Sequence, residues 1–209
     1  MSPVELGALH SIALASLLAW ASGVRLYFVM FALGLSGHLD WYTLPEGLKV
    51  LQNPWVMGSA GLMLAMEFLV DKVPGLDSAW DAIHTFIRIP AGALLAAGAT
   101  GDTLSAMTIA AGIIGGTITA GTHFTKSGSR ALINTSPEPF SNWGASIGED
   151  AAVVTGFWLA LMHPAVFLGL LAIFLLLVML LLPRLWRGVR KLYGFLQARL
   201  PAAAPPRQP

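Results

Sequence analysis

Cysteine is absent from all 209 residues, so the chain has no disulfide, no thiolate nucleophile and no cysteine-ligated metal centre. Charge is also scarce. Asp, Glu, Lys and Arg make up 11% of the chain, against about 25% in ordinary soluble domains. The formal net charge is +1, which excludes bulk electrostatic attraction to nucleic acid. No Lys or Arg precedes the first apolar run, and Met1–Gly7 carries Glu5 instead. A secretory signal opens on a positive region, so the first apolar segment is expected to be retained. No HExxH-type motif occurs. A metal would have to rest on His and carboxylates alone, and no metal set, cofactor or catalytic residue is assigned.

What fills the chain is hydrophobic, at 56%, together with 22 glycines. Ala165 to Leu182 is a stretch of 18 residues without a charged or strongly polar side chain. That length reaches the lower end of what a helix needs to cross the hydrocarbon core. It runs into Pro183, Arg184, Arg187, Arg190 and Lys191, and a basic cluster beside an apolar span marks a cytoplasmic helix end. The residues after Pro183 read as an amphipathic helix in the headgroup layer over 184–200, with Leu185, Trp186, Val189, Leu192, Tyr193 and Leu196 on one side. Residues 201–209 form a Pro- and Ala-rich tail that is disordered by composition.

Five further spans precede that one. Leu9–Leu35 contains a single charge, Arg25. Its guanidinium either snorkels to the interface or faces protein or a wet cavity. A polar and aromatic connector follows, with Trp41 and Tyr42 at the interface and one or two surface turns over Leu44–Leu51. The second span starts at Pro54 and carries Glu67, with Asp71 one turn further on the same face. Leu76–Arg88 is amphipathic, with Asp77, Asp81, His84 and Arg88 at helical spacing, and reads as an interfacial stretch or the wet start of a third span broken near Pro90. Gly101-Asp102 makes a tight turn into the fourth span, Thr103–Gly121, which extends towards His123, Lys126 and Arg130. Pro137 and Pro139 exclude a helix interior, and Ser141 or Asn142 is placed to cap a fifth segment, Gly144 to Met162, that opens with Glu149 and Asp150.

The expected fold is therefore all-α: a polytopic transmembrane bundle of about six spans over 1–183, multi-pass in a bacterial inner membrane. Lys72, Arg88, Lys126, Arg130 and the basic tail fall on one side, against Lys49 alone on the other. This distribution puts both termini in the cytoplasm. Two halves, 9–100 and 103–183, echo one another through Ser22-Gly23-Val24-Arg25 and Ser127-Gly128-Ser129-Arg130, as inverted three-helix repeats with broken or re-entrant segments would. Gly112, Gly116, Gly144 and Gly148 are the expected helix-packing glycines.

Short motifs add a resemblance. Gly23-Val24-Arg25, the run from Glu67 to Asp77, the H-x-x-K-x-x-x-R pattern from His123 to Arg130 and the Ser136 to Asp150 segment resemble the DUF4126 family of bacterial integral membrane proteins. The likeness covers about residues 10 to 180. It implies a polytopic membrane fold and supplies no activity.

The polar residues themselves point to three classes of function. A secondary transporter or permease would use Arg25, Glu67, Asp71, His123, Lys126, Arg130, Glu149 and Asp150 as a substrate or ion pathway. Glu67 and Glu149 lean to that role because their flanks are apolar, whereas Asp77, Asp81 and Lys126 lean to ion pairing or solvation. If the repeat holds, Arg25 and Arg130 approach its interface and pair with Glu67 and Glu149. A membrane enzyme acting on a lipid-linked substrate would use adjacent carboxylates with His123. A structural or assembly subunit would use the glycine faces. Membrane lipids, a small solute or ion, and copies of the chain itself are the partners this composition allows.

Overall fold

In a computed structural model describing residues 3–101, 105–135 and 140–199, the chain forms six α-helices and one 3₁₀ helix, with no strand among those residues. They are α1 Pro3–His38, the 3₁₀ helix Glu46–Gln52, α2 Pro54–Val70, α3 Leu76–Gly98, α4 Ala106–Ile133, α5 Phe140–Met162 and α6 Pro164–Arg199. Asp102, Pro137, Pro139 and the tail from Pro201 onward lie outside the described residues. So do the side chains of Leu185, Leu192 and Leu196.

The first helix is broken at Arg25, whose φ of −143° and ψ of 68° are not helical. Its neighbours show what the break does. Ala8, Ser11 and Ile12 lie beside Thr100 and Met107, at the end of the bundle where α3 gives way to α4. Further along, the Ala19 carbonyl accepts from Thr119 Oγ1 at 2.7 Å. A Cβ on Gly23 would lie 2.7 Å from both the Thr119 carbonyl and Thr122 Cβ. Residues 3–24 therefore descend alongside α4. After Arg25 the direction reverses. Gly61 of α2 packs under Phe31, Gly34 abuts Leu51 and Met57, and Gly37 abuts Leu44 and Gln52. A Cβ on Gly47 would come within 2.8 Å of Gly98, which places the 3₁₀ helix beside the end of α3. Both arms of α1 thus finish at one end of the bundle, and Arg25 is the tip of a helical hairpin.

That hairpin is the core. Leu14, Leu17, Leu18, Leu26, Val29 and Leu33 are all buried, and α1 touches every other element. The expected single crossing over Leu9–Leu35 is replaced by two arms. The lower part of α6, Met179 to Val189, lies against Phe124 to Ala131 near the foot of α4. The first arm of α1 begins at the opposite end, beside Thr100. The two ends of the described chain accordingly sit at opposite ends of the bundle, not on one side.

Small residues let α3 and α4 close on each other. A Cβ on Gly116 would sit 3.2 Å from Ala93 Cβ, and one on Gly112 3.6 Å from Ala97 Cβ, while Gly92 leaves no room for a side chain beside Thr119. Gly144 and Gly148 differ: a Cβ on either would meet nothing within 4 Å, so they do not serve packing inside this chain.

Three boundaries depart from the sequence expectation. First, α3 runs unbroken through Pro90, and its Asp77, Asp81, His84 and Arg88 are buried while Ile83, Phe86 and Leu94 face outward. The polar stripe is turned inward because its partners on α1, α2 and α4 are there. Second, α5 starts at Phe140, so Asn142 is a buried helix residue, not a cap. Third, α6 continues through Pro183 to Arg199 as one helix. The turns expected at the surface over Leu44–Leu51 form the 3₁₀ helix, whose Leu48 and Leu51 are buried under the hairpin mouth. Asn53 caps α2 by accepting from the Trp55 amide at 2.9 Å, with Pro54 in the first turn.

Gly7–His38, Phe140–Met162 and Pro164–Lys191 are long and apolar enough to cross a membrane, and Pro54–Val70 is a shorter apolar helix. Because α1 doubles back, the first of these is two arms and not one straight span. Large apolar side chains face outward on every side, with Trp55 85% and Phe86 83% exposed. A water-soluble fold hides such groups.

Candidate functional site

The hairpin tip is where the charged residues meet. Helical spacing explains how four short runs reach one place. Glu67 and Asp71 are one turn apart at the foot of α2. Asp77, Asp81, His84 and Arg88 share one face of α3, His123, Lys126 and Arg130 one face of α4, and Asn142, Ser146 and Glu149 one face of α5. All four faces turn towards Arg25.

Breaking α1 there frees backbone carbonyls that would otherwise be unpaired in a dry interior. Cations take them. Arg88 Nη1 donates to Gly23 O at 3.3 Å and to Val24 O at 3.2 Å. Lys126 Nζ donates to Val24 O at 3.0 Å. The break and the charge cluster are thus one construction.

Lys126 is the hub. Its ammonium lies 3.1 Å from Asp71, 3.6 Å from Glu149, and 3.8 Å from both Glu67 and Asp81. Arg25 pairs with Asp71 through Nη1, with Asp150 through Nε at 2.8 Å and with Ser146 Oγ through Nη2 at 3.1 Å. Arg130 grips Glu149 with two nitrogens, at 3.0 and 2.8 Å, and donates to the Asn142 carbonyl and side chain. Arg88 pairs with Glu67 and lies 3.4 Å from Asp81. Such forked, charge-assisted contacts are the strong ones.

Seven of the eight pathway candidates named from sequence therefore share one network: Arg25, Glu67, Asp71, Lys126, Arg130, Glu149 and Asp150. His123 stands at its edge, with Nε2 2.7 Å from Thr85 Oγ1. The partner choice agrees with the expectation for Glu149, which Arg130 grips, and differs for Glu67, which goes to Arg88, while Arg25 goes to Asp71. The two SGxR segments are not equivalent either, since Arg25 breaks its helix and Arg130 sits in an unbroken one. Sequence reasoning undervalued Arg88, Asp81 and Asn142. The inward register of α3 was the missing signal. Asp77 holds the turn before α3, where its Oδ1 accepts from the Gly75 and Ser78 amides and from Asn134.

Six carboxylates face four cations, so the network carries an excess of negative charge when all are ionised. The four cations and Glu67, Asp71, Asp77 and Asp81 are buried, whereas the side chains of Glu149 and Asp150 are 19% and 34% exposed. What solvent or lipid can reach is the negative side. Among the described residues no three His, Asp or Glu side chains are grouped as a metal would require.

Residues 12–184 match a protein family described as a domain of unknown function (DUF4126). No curated protein and no solved structure matches the chain.

Proposed function

Because the chain belongs to the DUF4126 family, whose description assigns no activity, we propose its function from the site itself: a small membrane permease whose substrate or ion site is the charge network at the tip of the α1 hairpin. One observation carries this reading. A helix broken inside an apolar-surfaced bundle places Arg25 among ten charged side chains contributed by five helices. Ionisable groups at membrane depth are costly and mark ion or solute paths by default. Broken helices that present carbonyls and charges to the bundle interior are how transporters build such sites, and here the break lies towards the lower end, beside Asp71. A clamp for helix packing would need one or two pairs, not this number.

In this reading α2 to α6 cross the membrane five times and α1 re-enters from the outer side. The lower end faces the cytoplasm, since Lys72, Arg184, Arg187, Arg190 and Lys191 gather there and Lys49 alone marks the upper end. The amino terminus is then outside and the carboxy terminus inside, in a bacterial inner membrane. No inverted repeat is needed. The absence of cysteine makes the test simple. In intact cells an impermeant maleimide is expected to label a Gly7→Cys variant, and a Gly194→Cys variant only after permeabilisation. Labelling of both from the same side would refute the arrangement.

Transport is tested in proteoliposomes against a panel of sugars, amino acids, organic acids and amines. The expected result is saturable flux of one class, reduced about tenfold or more by Glu149→Gln with the elution volume unchanged. Absence of flux for every class, or full flux in the variant, would overturn the proposal.

A further inference from the structure

Between α2 and α5 the bundle is open. Among the described residues no Cα of one helix comes within 8 Å of a Cα of the other. The space between them is a groove of about 550 Å³. Phe28, Gly61, Leu64, Phe68, Val153 and Val154 give it apolar walls, and Arg25 and Asp150 lie at its floor. Phe68 and Val154 are exposed, so the groove faces outward from the bundle, where lipid would be in the proposed fold.

The charge at the floor selects the occupant. An anion would meet Asp150 before Arg25, because the carboxylate is 34% exposed and the guanidinium 2%. Glu149 stands behind it, 19% exposed. The network as a whole has two more carboxylates than cations, and an added positive charge offsets that excess. The Arg25–Asp150 contact can also open. Its N–O separation is 2.8 Å, yet Arg25 Nε has no aligned hydrogen bond. Arg25 keeps Asp71 and Ser146 as partners if Asp150 turns away. The rim cation, Lys72, is folded over the Phe68 ring and donates to the Phe68 carbonyl at 3.2 Å.

We infer that this groove binds an organic cation with an apolar body, its positive charge held by Asp150 with Glu149 behind it and its body lying between α2 and α5. Binding would exchange the Nε contact of Arg25 for the ligand's charge, with no bond made or broken. The inference deepens the permease reading by naming a substrate class, but the binding event stands without translocation.

The test uses the purified full chain in nanodiscs of phosphatidylcholine, which carry no net lipid charge. Tetraphenylphosphonium is the probe and tetraphenylborate, of the same shape and opposite charge, the control. The expected result is saturable binding of the cation, displaced by dodecyltrimethylammonium, with only unsaturable partition of the anion. Asp150→Asn is expected to weaken cation binding by about tenfold or more. Val154→Trp fills the groove without touching a charge and should weaken it as well, which keeps the test decisive if Asp150→Asn does not fold. Equal binding of both probes, or unchanged affinity in both variants, would overturn the inference. Cation binding without flux of any solute would overturn the permease reading and leave the cation site standing. Flux of a neutral or anionic solute with no phosphonium binding would do the reverse.

Discussion

Lys126→Met is expected to unfold the bundle, with most of the protein failing to accumulate in the membrane. Four carboxylates, Glu67, Asp71, Asp81 and Glu149, lie within 4 Å of the one ammonium. Methionine has nearly the right length and no charge, so it would fill the space and leave those groups facing one another. Removing one partner of a buried pair costs about 3–5 kcal/mol, because the other charge stays behind in a medium that cannot solvate it. Here the ammonium is shared, and it also holds the Val24 carbonyl at the helix break. Lys126→Met/Asp81→Asn is expected to be more stable than Lys126→Met alone, since without the ammonium Asp81 keeps only a share of Arg88, 3.4 Å away. Chemical denaturation in mild detergent measures both. A Lys126→Met protein as stable as the parent would mean that the network is solvated and not a dry cluster.

The spacing of the charged residues was legible in the sequence, and their destination was not. Glu67 with Asp71, and His123 with Lys126 and Arg130, fall on single helix faces by arithmetic alone. Periodicity cannot say whether such a face looks inward or outward. For α3 the amphipathic pattern suggested a wet or interfacial surface, as it does in a soluble protein. The structure inverts it, with Asp77, Asp81, His84 and Arg88 buried and Phe86 outside. Tertiary partners on α1, α2 and α4 decide that register, and none of them is local.

The hairpin was hidden for a related reason. Ser22-Gly23-Val24-Arg25 has no proline, and its one turn dipeptide, Ser22-Gly23, lies inside a long apolar run, so an unbroken apolar span was the natural reading. Gly23 admits the close approach of α4, where any Cβ would press on the Thr119 carbonyl. The reversal itself is held by Arg88 and Lys126, which are 63 and 101 positions away along the chain from Arg25. Counting Lys and Arg at each end gives the bundle a basic end, which is the ground for the orientation proposed above. It could not give the number of passes, because two arms of one helix look like one long span.

Arg25→Lys separates the tip's chemistry from its structure, and it is expected to abolish transport while leaving the fold intact. The guanidinium reaches Asp71, Ser146 and Asp150 from three different nitrogens. An ammonium keeps the charge and can stay near Asp71, but it cannot span the three in a planar fork. The hairpin should survive, because the carbonyls freed by the break are held by Arg88 and Lys126 and not by Arg25. The lost hydrogen bond from the charged guanidinium to Ser146, at up to about 3 kcal/mol, corresponds to roughly a hundredfold loss of flux. Arg25→Ala should behave differently: it takes one of its partners from Asp71, strands Asp150 and should cost stability as well. Arg184→Lys is the control, since that side chain is exposed on α6 and, among the described residues, donates only to the Leu180 carbonyl one turn back. The readouts are solute flux in proteoliposomes, the denaturation midpoint, and maleimide labelling of the Gly7→Cys position on each background. Flux near the parental rate in a folded Arg25→Lys protein would reduce the tip to a structural wedge, and the site would then have to be sought at Glu149 and Asp150 without it.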